Sequence, residues 1–455
     1  MSDLLLTYYG DDFTGSTDVM EVLEWGGVPT VLFLDPADAN TLQARFPEAR
    51  AIGIAGVSRT MSPAQMDEHL PTAFEALRAF GAPYAHYKIC STFDSSPTVG
   101  SIGRATEIGQ QIFGAKAVPM MVGAPKLRRY VAFSNLFARV DDVTYRLDRH
   151  PTMSKHPITP MDESDLRVHL GKQTDLSIGA MTVLHIERSD ADVDDYFQGL
   201  MDGKYDIILF DSINDAHLHT IGRLLWAMRD KDAPIFLVGS SGFQYALTHY
   251  WNTEGIFQPK DTTNIVGAVD QLIVMSGSAA PATADQITWA LANGFTGLRL
   301  DSENLVDPAT ADATREATIQ EALTLIGEGK NLLMFSTHGS DDPAISATND
   351  RLARIGKAGT NVGSILAPQQ GMILRDLLTR TGLRRAVVCG GDTCGYATRQ
   401  LGIFALQALI PVAPGAPLCR ASSDDPYFDG LEISLKAGQV GKPDYFRSIL
   451  RGSAT

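Results

Sequence analysis

The first half of the chain alternates short apolar runs with segments whose apolar residues recur at helical spacing. In residues 63–80, for example, Leu70, Phe74 and Leu77 fall on one helical face. Runs typical of strands are residues 4–9, 28–34, 51–57, 84–90, 117–122, 182–186, 205–210 and 235–238, and helix-like segments are 63–80, 99–113 and 214–228. This alternation predicts a mainly parallel sheet covered by helices on both faces.

A polar segment with Pro259 interrupts this pattern at residues 252–267 and predicts a linker. The pattern then restarts, with strands at 271–275, 332–336 and 385–389, an edge strand at 431–435, and helices at 282–292, 365–378 and 396–401. The sequence therefore predicts two α/β domains, residues 1–251 and 268–455, whose mainly parallel sheets face each other across a cleft.

Composition and charge argue against several classes of function. The 455 residues are 44% hydrophobic, which is enough for a large core, and the four cysteines form no C-x-x-C zinc pattern. The net charge of −15 argues against nucleic acid as the main partner, because duplex binding requires a basic surface. No apolar stretch reaches the roughly 18 residues of a membrane helix, and the N-terminus does not resemble a signal peptide. We therefore expect a cytoplasmic protein without a membrane partner.

Two glycine-rich turns follow predicted strands near opposite ends of the chain. They are residues 10–15 (GDDFTG) and residues 389–395 (CGGDTCG). Open α/β sheets bind ligands at the carboxyl ends of their strands, where helix N-termini offer free backbone N–H groups to anions. The two turns therefore predict one site for a small polar substrate and another for a phosphate donor.

The first turn and two later strand ends carry charged residues suited to a small polar acid. Asp11 and Asp12 can accept hydrogen bonds from hydroxyl groups or remove a proton from one, although Asp12 alternatively only caps the following helix. Arg59 can bind a carboxylate through two parallel hydrogen bonds, unless it is a solvated surface residue. Lys88 lies in an apolar strand and needs a partner if buried, and Ser91 opens the polar turn behind it.

Residues 116–155 form a basic segment in an acidic protein. Its cations include Lys126, Arg128, Arg129, Arg139, Arg146 and Arg149, against Asp141, Asp142 and Asp148. The segment is either a solvated basic face or a wall that attracts an acidic substrate.

Three turns in the second half are candidates for nucleotide binding. Residues 276–278 (SGS) and 390–393 (GGDT) each follow a strand and can bind phosphates through N–H groups and hydroxyls. Neither matches the P-loop or the dinucleotide fingerprint. The third turn, residues 435–441 around Gly438, is either a hairpin or a cover over a base or ribose.

Taken together, these turns resemble those of the four-carbon acid sugar kinases over nearly the whole chain. The resemblance rests on the order and spacing of residues 11–15, 58–59, 88 with 91–92, 276–278, 390–393 and 435–438. It implies an N-terminal domain that binds a sugar acid, a C-terminal domain that binds ATP, and phosphorylation of a terminal hydroxyl on threonate, erythronate or a 3-oxo-tetronate. It places Asp11, Asp12, Arg59, Lys88 and Ser91 at the substrate, and Ser276, Ser278, Gly390, Gly391, Asp392, Thr393 and Gly438 at ATP.

The chain departs from the family pattern in the stretch after Lys88. Family members carry Lys-x-Asp-Ser-Thr and then a turn with Arg-Gly, whereas here the acidic position is Cys90 and the arginine is missing. Residues 16–18 (STD) also replace a small-Asn-Asp pattern. The loss of one charge of each sign suggests a different acid, and a branched one such as 3-oxo-isoapionate is a reasonable candidate.

The sequence thus predicts an ATP-dependent sugar-acid kinase in which Arg59 and Lys88 hold the substrate carboxylate. Asp12, or with less support Asp11, orients the hydroxyl and accepts its proton, while the turn at Gly390 binds phosphates that Mg²⁺ bridges. A homodimer is compatible with this interpretation. The alternatives are a non-catalytic sugar-acid sensor and an NAD-dependent dehydrogenase, which the missing dinucleotide fingerprint disfavours.

Overall fold

The computed structural model describes residues 4–36, 45–230, 234–262 and 266–453. Its contacts divide the chain into unit 1, Met1–Lys260, and unit 2, Asp261–Thr455, and each unit has its own hydrophobic core. The division falls inside the polar segment at residues 252–267. The expectation that the two sheets face each other across a cleft stays a prediction.

Unit 1 combines a parallel sheet, a small antiparallel sheet and flanking helices. Its strands are β1 (Leu6–Gly10), β2 (Thr30–Phe33), β3 (Ala51–Ala55), β4 (Tyr84–Lys88), β5 (Val118–Met121), β6 (Arg129–Ala132), β7 (Asn135–Val140), β8 (Val143–Arg146), β9 (Ile178–Met181), β10 (Ile207–Phe210) and β11 (Ile235–Gly239). Its helices are α1 (Phe13–Trp25), α2 (Pro63–Ala79), α3 (Ile102–Phe113), α4 (Leu166–Leu170), α5 (Val183–Ile186), α6 (Asp190–Met201), α7 (Asp215–Met228) and α8 (Gly242–Thr253).

Within the described residues, the main sheet of unit 1 is wholly parallel, in the order β2-β3-β1-β4-β11-β5-β10-β9. The register pairs Gly10, the last residue of β1, with Ala55 of β3 and Lys88 of β4. The residues that follow these three strands therefore meet at one edge of the sheet, where ligands bind in such folds.

An aromatic cluster holds these strand ends in place. Tyr9 of β1 stacks on Tyr87 of β4 with ring centroids 6.1 Å apart, and Phe74 of α2 packs edge-on against both rings. Helix α2 itself begins with a capping box formed by Ser62 and Gln65, which satisfies its first free N–H groups. Buried aromatic contacts of this kind leave the strand ends little freedom to move.

The basic segment contains an antiparallel sheet, β6-β7-β8, that the sequence pattern did not predict. Phe133 and Ser134, in the turn between β6 and β7, have left-handed φ angles of 49° and 64°. The buried carboxylate of Asp211, directly after β10, accepts hydrogen bonds from both of these N–H groups at 2.6 and 2.8 Å. A residue far along the chain thus stabilises the hairpin, and local patterning cannot reveal such a contact.

Unit 2 has a second mainly parallel sheet. Its strands are β12 (Ile273–Ser276), β13 (Phe295–Arg299), β14 (Asn331–Phe335), β15 (Arg385–Cys389), β16 (Ile403–Ala413), β17 (Ala416–Ser423) and β18 (Glu432–Lys436). Its helices are α9 (Pro281–Ala292), α10 (Ser302–Leu305), α11 (Ala311–Gly327), α12 (Pro343–Arg354), α13 (Val362–Thr381), α14 (Gly391–Gln400) and α15 (Tyr445–Arg451). The order is β13-β14-β12-β15-β18-β17-β16, with antiparallel pairing only between β16 and β17 and between β17 and β18 among the described strands. The predicted α/β class with mainly parallel sheets is confirmed.

Two predicted elements are wrong. The predicted strand at residues 182–186 is wrong, because residues 183–186 form helix α5 and Thr182 is its N-cap. The N–H groups at the helix start have partners: Thr182 N–H donates to His185 Nδ1 and Val183 N–H to the Asp211 carboxylate. These contacts outweigh the strand preference of the β-branched residues. The strand predicted at residues 431–435 corresponds to β18, but its predicted edge position is wrong, because β18 lies between β15 and β17.

In the part of the chain that the structure describes, no helix combines the length and the apolar character needed to cross a bilayer.

Candidate active site

The turn after β1 requires two glycines and is capped by Asp12. Asp12 Oδ1 accepts a hydrogen bond from the Gly15 N–H at 2.7 Å, which makes Asp12 the N-cap of α1. A Cβ atom at Gly10 would lie 2.0 Å from Ser16 Oγ, and one at Gly15 would lie 2.5 Å from Asp12 Oδ1. The capping role considered for Asp12 is therefore confirmed, and it involves only one oxygen of the carboxylate.

Arg59 joins the carboxylates of Asp11 and Asp12. It lies in a short 3-10 turn that follows β3. Its Nε and Nη2 atoms donate to the two oxygens of Asp11 at 3.1 and 2.7 Å, and its Nη1 and Nη2 atoms donate to Asp12 at 2.8 Å each. The alternative of a solvated surface arginine is wrong. Contact between Arg59 and a substrate carboxylate stays a prediction, because here its planar fork binds the carboxylate of Asp11.

Burial and charge act in opposite directions on this ion pair. Burial raises the pKa of Asp11, with a further contribution from Asp12, although the Arg59 guanidinium attracts the charged form. Burial also disfavours the charged form of Arg59, but the carboxylate of Asp11 raises the pKa of Arg59 well above its usual range. The side chain of Asp11 is 4% exposed and that of Asp12 is 28% exposed. Asp12 is therefore the carboxylate that a ligand can reach.

Lys88, the last residue of β4, is buried and has the partners that its burial requires. Its Nζ atom donates to the backbone oxygen of Ile89 at 2.9 Å and lies 3.9 Å from the Asp18 carboxylate of α1. A Cβ atom at Gly15 would lie 2.9 Å from the same Nζ atom, so the ammonium group faces the turn after β1. Burial raises the pKa of Asp18, against the attraction of Lys88. The residues brought together here are Asp11, Asp12, Asp18, Arg59 and Lys88.

The stretch after β4, which departs from the family motif, turns sharply and carries backbone strain. The Phe93 N–H donates to Cys90 O at 3.0 Å, and the buried Phe93 has a left-handed φ of 58°. Such strain concentrates at functional sites. Burial raises the pKa of the Cys90 thiol to about 11, and the nearby Asp94, which accepts a hydrogen bond from Thr92, adds to this effect. Cys90 is therefore neutral. Ser91 is half-buried in the same turn, and its substrate contact stays a prediction.

Arg129 differs from the other cations of the basic segment. Three of those are paired at the surface: Lys126 with Asp215, Arg139 with Asp142, and Arg146 with Asp148. Arg129 is half-buried at the start of β6, and its Nε atom is buried without a hydrogen-bond partner among the described residues. Burial lowers the pKa of Arg129, while the adjacent Cys90 and Asp94 oppose that shift. Arg129 and Asp94 thus supply charges of both signs that interact electrostatically with Cys90.

The sequence analysis missed the turn that follows β11. Residues 239–242 (GSSG) link β11 to α8 beside the end of β4. The backbone oxygen of Gly239 accepts a hydrogen bond from the Ile89 N–H at 2.8 Å, and a Cβ atom at Gly242 would lie 2.2 Å from a backbone oxygen. The pattern here is the one that identified the turn after β1: a strand, then a polar turn flanked by glycines, then a helix. The turn after β11 could therefore have been predicted from the sequence.

Unit 2 contains a cavity of about 530 Å³ at the carboxyl ends of β12, β14, β15 and β18. The predicted residues that line it are Ser278, Gly390, Gly391, Asp392, Thr393 and Gly438. Ser276 is fully buried, and its backbone oxygen accepts a hydrogen bond from Gln370 at 3.2 Å. A contact between Ser276 and a nucleotide stays a prediction. The volume is typical of small-molecule sites.

Close backbone packing shapes one end of this cavity. Gly390 has a φ of 109°, which favours glycine, and it precedes the first residue of α14. A Cβ atom at Gly277 would lie 2.1 Å from Thr393 Oγ1, and one at Gly438 would lie 2.3 Å from Ser278 Oγ. The N-terminus of α14 therefore meets the cavity where three chain segments approach closely, and its free N–H groups suit phosphate oxygens.

Lys436, the last residue of β18, adds a positive charge beside this end of the cavity. Its side chain is fully buried, and Nζ donates to Thr283 Oγ1 and Ala437 O at 3.1 Å each. Thr283 in turn donates to the backbone oxygen of Gly438 at 2.6 Å. Among the described residues, no carboxylate forms an ion pair with Lys436. A buried cation without an acidic partner leaves positive potential for an anion.

The described ranges contain no group of three or more His, Cys, Asp or Glu side chains placed to hold a metal ion. An Mg²⁺ ion that arrives with a nucleotide needs fewer protein ligands, because phosphates and water complete its shell. The exposed carboxylate of Asp392 on the cavity wall fits that requirement.

Two family models match the chain, one in each unit. Residues 6–247 match a sugar-binding N-terminal domain, and residues 273–446 match a nucleotide-binding C-terminal domain. Together with the acidic turn in unit 1 and the glycine-lined cavity in unit 2, these matches define a two-domain kinase for small sugar acids. The chain belongs to the four-carbon acid sugar kinase family, and it is a sugar-acid kinase.

Relatives of known name support this assignment over nearly their full length. A 3-oxo-isoapionate kinase from Paraburkholderia graminis is 44% identical over 99% of this chain and 94% of its own. A 3-oxo-tetronate kinase from Cupriavidus necator is 30% identical over 98% and 96%, and one from Pseudomonas savastanoi pv. phaseolicola is 29% identical over 98% and 97%. These relatives do not favour the sensor or the dehydrogenase considered above.

Solved structures show the same fold. A Salmonella typhimurium protein described as a putative tRNA synthase has a TM-score of 0.79 and 22% identity, covering 99% of this chain and all of its own. A Haemophilus influenzae protein has a TM-score of 0.75 and 22% identity, covering 97% and 98%. At this identity the likeness concerns the fold alone.

Proposed function

We propose that this kinase transfers the γ-phosphoryl group of ATP to a terminal hydroxyl of a branched 3-oxo sugar acid, 3-oxo-isoapionate. The observation that carries the proposal is the contact of Arg59 with both Asp11 and Asp12, which presents one reachable carboxylate beside the ammonium group of Lys88. The name of the relative that is 44% identical supports the choice of acid.

On the acceptor side, Asp12 accepts the proton of the substrate hydroxyl. The hydroxyl oxygen forms a bond to the γ-phosphorus, and the bond from that phosphorus to the β–γ bridging oxygen breaks to release ADP. Arg59 holds the Asp12 carboxylate in position through two hydrogen bonds of 2.8 Å. Lys88 and Arg129 attract the carboxylate of the acid. Lys88 faces the turn after β1, and Arg129 interacts electrostatically with Cys90 and Asp94 in the turn after β4 and has an Nε atom without a hydrogen-bond partner among the described residues.

On the donor side, the free N–H groups at the start of α14 bind phosphate oxygens, and the buried Lys436 supplies positive potential behind them. Bound with the nucleotide, Mg²⁺ would neutralise charge on the phosphates, and Asp392 is the residue that would contact it. Phosphoryl transfer depends mainly on such positioning and charge neutralisation.

The stretch after β4 supports a branched acid. Cys90 is smaller than the carboxylate found at this position of the family motif, and its thiol is neutral. A small neutral side chain can accommodate an additional carbon branch that a carboxylate would exclude by size and hydration. Arg129 and Asp94 then supply charges from neighbouring positions.

Comparison of substrates tests this proposal directly. ADP release is measured with ATP and each of 3-oxo-isoapionate, 3-oxo-tetronate, threonate and erythronate, and the phosphorylated position is identified by NMR. We expect kcat/KM for the branched acid to exceed the others by about tenfold or more, the scale that one carbon substituent controls. Preference for a tetronate would overturn the choice of acid, and binding of acids without ADP release would overturn the assignment as a kinase.

A further inference from the structure

The turn after β4, residues 89–95, contains a strained residue that its surroundings must hold in place. Phe93 is fully buried and has a left-handed φ of 58°. A residue other than glycine keeps this conformation only where neighbouring contacts enforce it. One contact is local, because the Phe93 N–H donates to Cys90 O at 3.0 Å. This bond fixes one side of the Phe93 backbone, and the other side needs a second contact.

Ser95 provides the second contact. It is 1% exposed, and its Oγ atom donates to the backbone oxygen of Phe93 at 2.9 Å. The same Oγ atom accepts a hydrogen bond from Gln173 Nε2 at 2.9 Å and lies 3.3 Å from His169 Nε2. A hydroxyl has one proton and two lone pairs, so these three partners use its full capacity when His169 carries its proton on Nε2. Ser95 is therefore bound within the protein's own hydrogen bonds and does not itself contact a substrate.

Helix α4 and the residues just after it supply both side chains that bind Ser95. The same helix is attached to the β6-β7 hairpin, because the Leu166 N–H donates to Ser134 O at 2.9 Å. That hairpin begins with Arg129. Helix α4 thus joins the turn after β4 to the hairpin that carries a cation of the proposed acid site.

The turn after β4 also lies beside the charged centre of unit 1. Cys90 interacts electrostatically with Arg59 and with Arg129, and the neighbouring Ser91 is half-buried. A change of the backbone at Phe93 would therefore shift side chains that the proposed function places against the sugar acid.

We infer that Ser95 is a positioning residue for the sugar acid. Its hydroxyl, held by Gln173, keeps Phe93 in the left-handed conformation and so fixes where Cys90 and Ser91 meet the acid. Contacts made equally to the bound acid and to the transition state affect KM and leave kcat unchanged. The inference rests on the proposed function and adds a residue that acts on binding of the acid without touching it.

Steady-state kinetics with the acid that the wild type phosphorylates best tests this role. We expect Ser95→Ala to raise KM for the acid about five- to tenfold, the effect of one lost hydrogen bond, with kcat and KM for ATP nearly unchanged. Gln173→Leu should raise KM for the acid by a smaller factor, since the Ser95 hydroxyl still reaches Phe93 O. The double variant should match Ser95→Ala, because both changes act through the same Oγ atom.

Thr98→Ala is the matched control, because Thr98 is exposed in the same loop and its hydroxyl contacts only Ser96, at 3.4 Å, among the described contacts. It should behave like the wild type. An unchanged KM in both Ser95→Ala and Gln173→Leu would overturn the positioning role. A lower kcat at unchanged KM would also overturn it, because loss of folded enzyme alone gives that result. If Ser95→Ala does not fold, the KM of Gln173→Leu decides alone. Failure of the wild type to release ADP with any of the four acids named above would instead overturn the proposed function.

Discussion

The guanidinium group of Arg59 donates hydrogen bonds to both carboxylates that follow β1, those of Asp11 and Asp12. Arg59 is 48 positions from Asp11 and 47 positions from Asp12 in the chain, yet the three side chains form one hydrogen-bonded unit. In this unit Asp11 is buried, and a ligand can reach Asp12. In the proposed mechanism the two carboxylates have different tasks: Asp11 fixes Arg59, and Asp12 accepts the proton of the substrate hydroxyl.

Asp12→Asn should lower kcat by about two orders of magnitude or more, the scale of lost general-base catalysis. Asparagine keeps an oxygen that can accept the Gly15 N–H, so the cap of α1 should survive, although its amide nitrogen cannot accept the hydrogen bond that Arg59 Nη1 donates to Asp12. Steady-state kinetics and urea denaturation together check this. Asp12→Ala is the comparison variant, because it should lose about 1 kcal/mol of stability as well as activity. Near-normal turnover in Asp12→Asn would show that another group accepts the proton.

Gly15→Ala should reduce kcat/KM by about 100-fold, because the new Cβ atom would meet Asp12 Oδ1 at 2.5 Å and Lys88 Nζ at 2.9 Å. The matched control is Gly199→Ala on α6, where no heavy atom lies within 4 Å of the added Cβ atom. That variant should keep full activity and gain about 0.5–1 kcal/mol of stability. Equal activity of the two variants would argue that the turn after β1 does not bind substrate.

Arg129→Gln should raise KM for the sugar acid about tenfold or more with a smaller effect on kcat, because it removes a charge-assisted contact to the substrate. The matched control is Arg139→Gln, because Arg139 lies on the neighbouring strand and is paired with Asp142. It should leave KM unchanged. A similar rise of KM in both variants would indicate that the basic segment acts through its overall positive potential. No rise in either variant would show that Arg129 does not contact the substrate.

Acid should destabilise unit 1 through His86 of β4. Its Nε2 atom contacts Gly239 O at 3.0 Å and its Nδ1 atom contacts Gln244 at 2.8 Å, a network that suits a neutral ring. Burial, with a further contribution from Lys88, lowers the pKa of His86 to about 3. Because this folded-state value lies below the unfolded value of about 6.5, the unfolded chain binds a proton that the folded chain does not.

The stabilising contribution is therefore complete above pH 6.5 and is lost as the pH falls toward 3. In this window His86 should contribute a loss of about 1.4 kcal/mol per pH unit to the free energy of unfolding. Urea denaturation at several pH values checks this against His86→Gln. The variant should be less stable at pH 7 but show a shallower pH dependence. Identical slopes in both proteins would contradict the assignment.

Local patterns predicted the positions of the main parallel strands and the turns at Gly10 and Gly390. An apolar run or a glycine-rich turn depends only on the residues of its own segment, so it can be identified without knowledge of distant contacts. They failed at residues 182–186, where the distant carboxylate of Asp211 stabilises a helix start, and they missed the hairpin that the same carboxylate holds. The turn at Gly239 carried the same signal as the turn at Gly10 and was overlooked. Asp18 belongs to the stretch 16–18 that was compared with the family pattern, but only the structure shows that its carboxylate lies 3.9 Å from Lys88 Nζ.

The sequence by itself determined the α/β class, the kinase family and the chemical types present at each turn, because these depend on residue order and spacing. Only the tertiary structure decided that Arg59 binds the protein's own carboxylates, that Asp12 and not Asp11 is reachable, and that Arg129 interacts electrostatically with Cys90. Burial, hydrogen-bond partners and electrostatic neighbours arise from contacts between distant segments. They follow from how the strands are ordered in the sheet, which no single segment specifies.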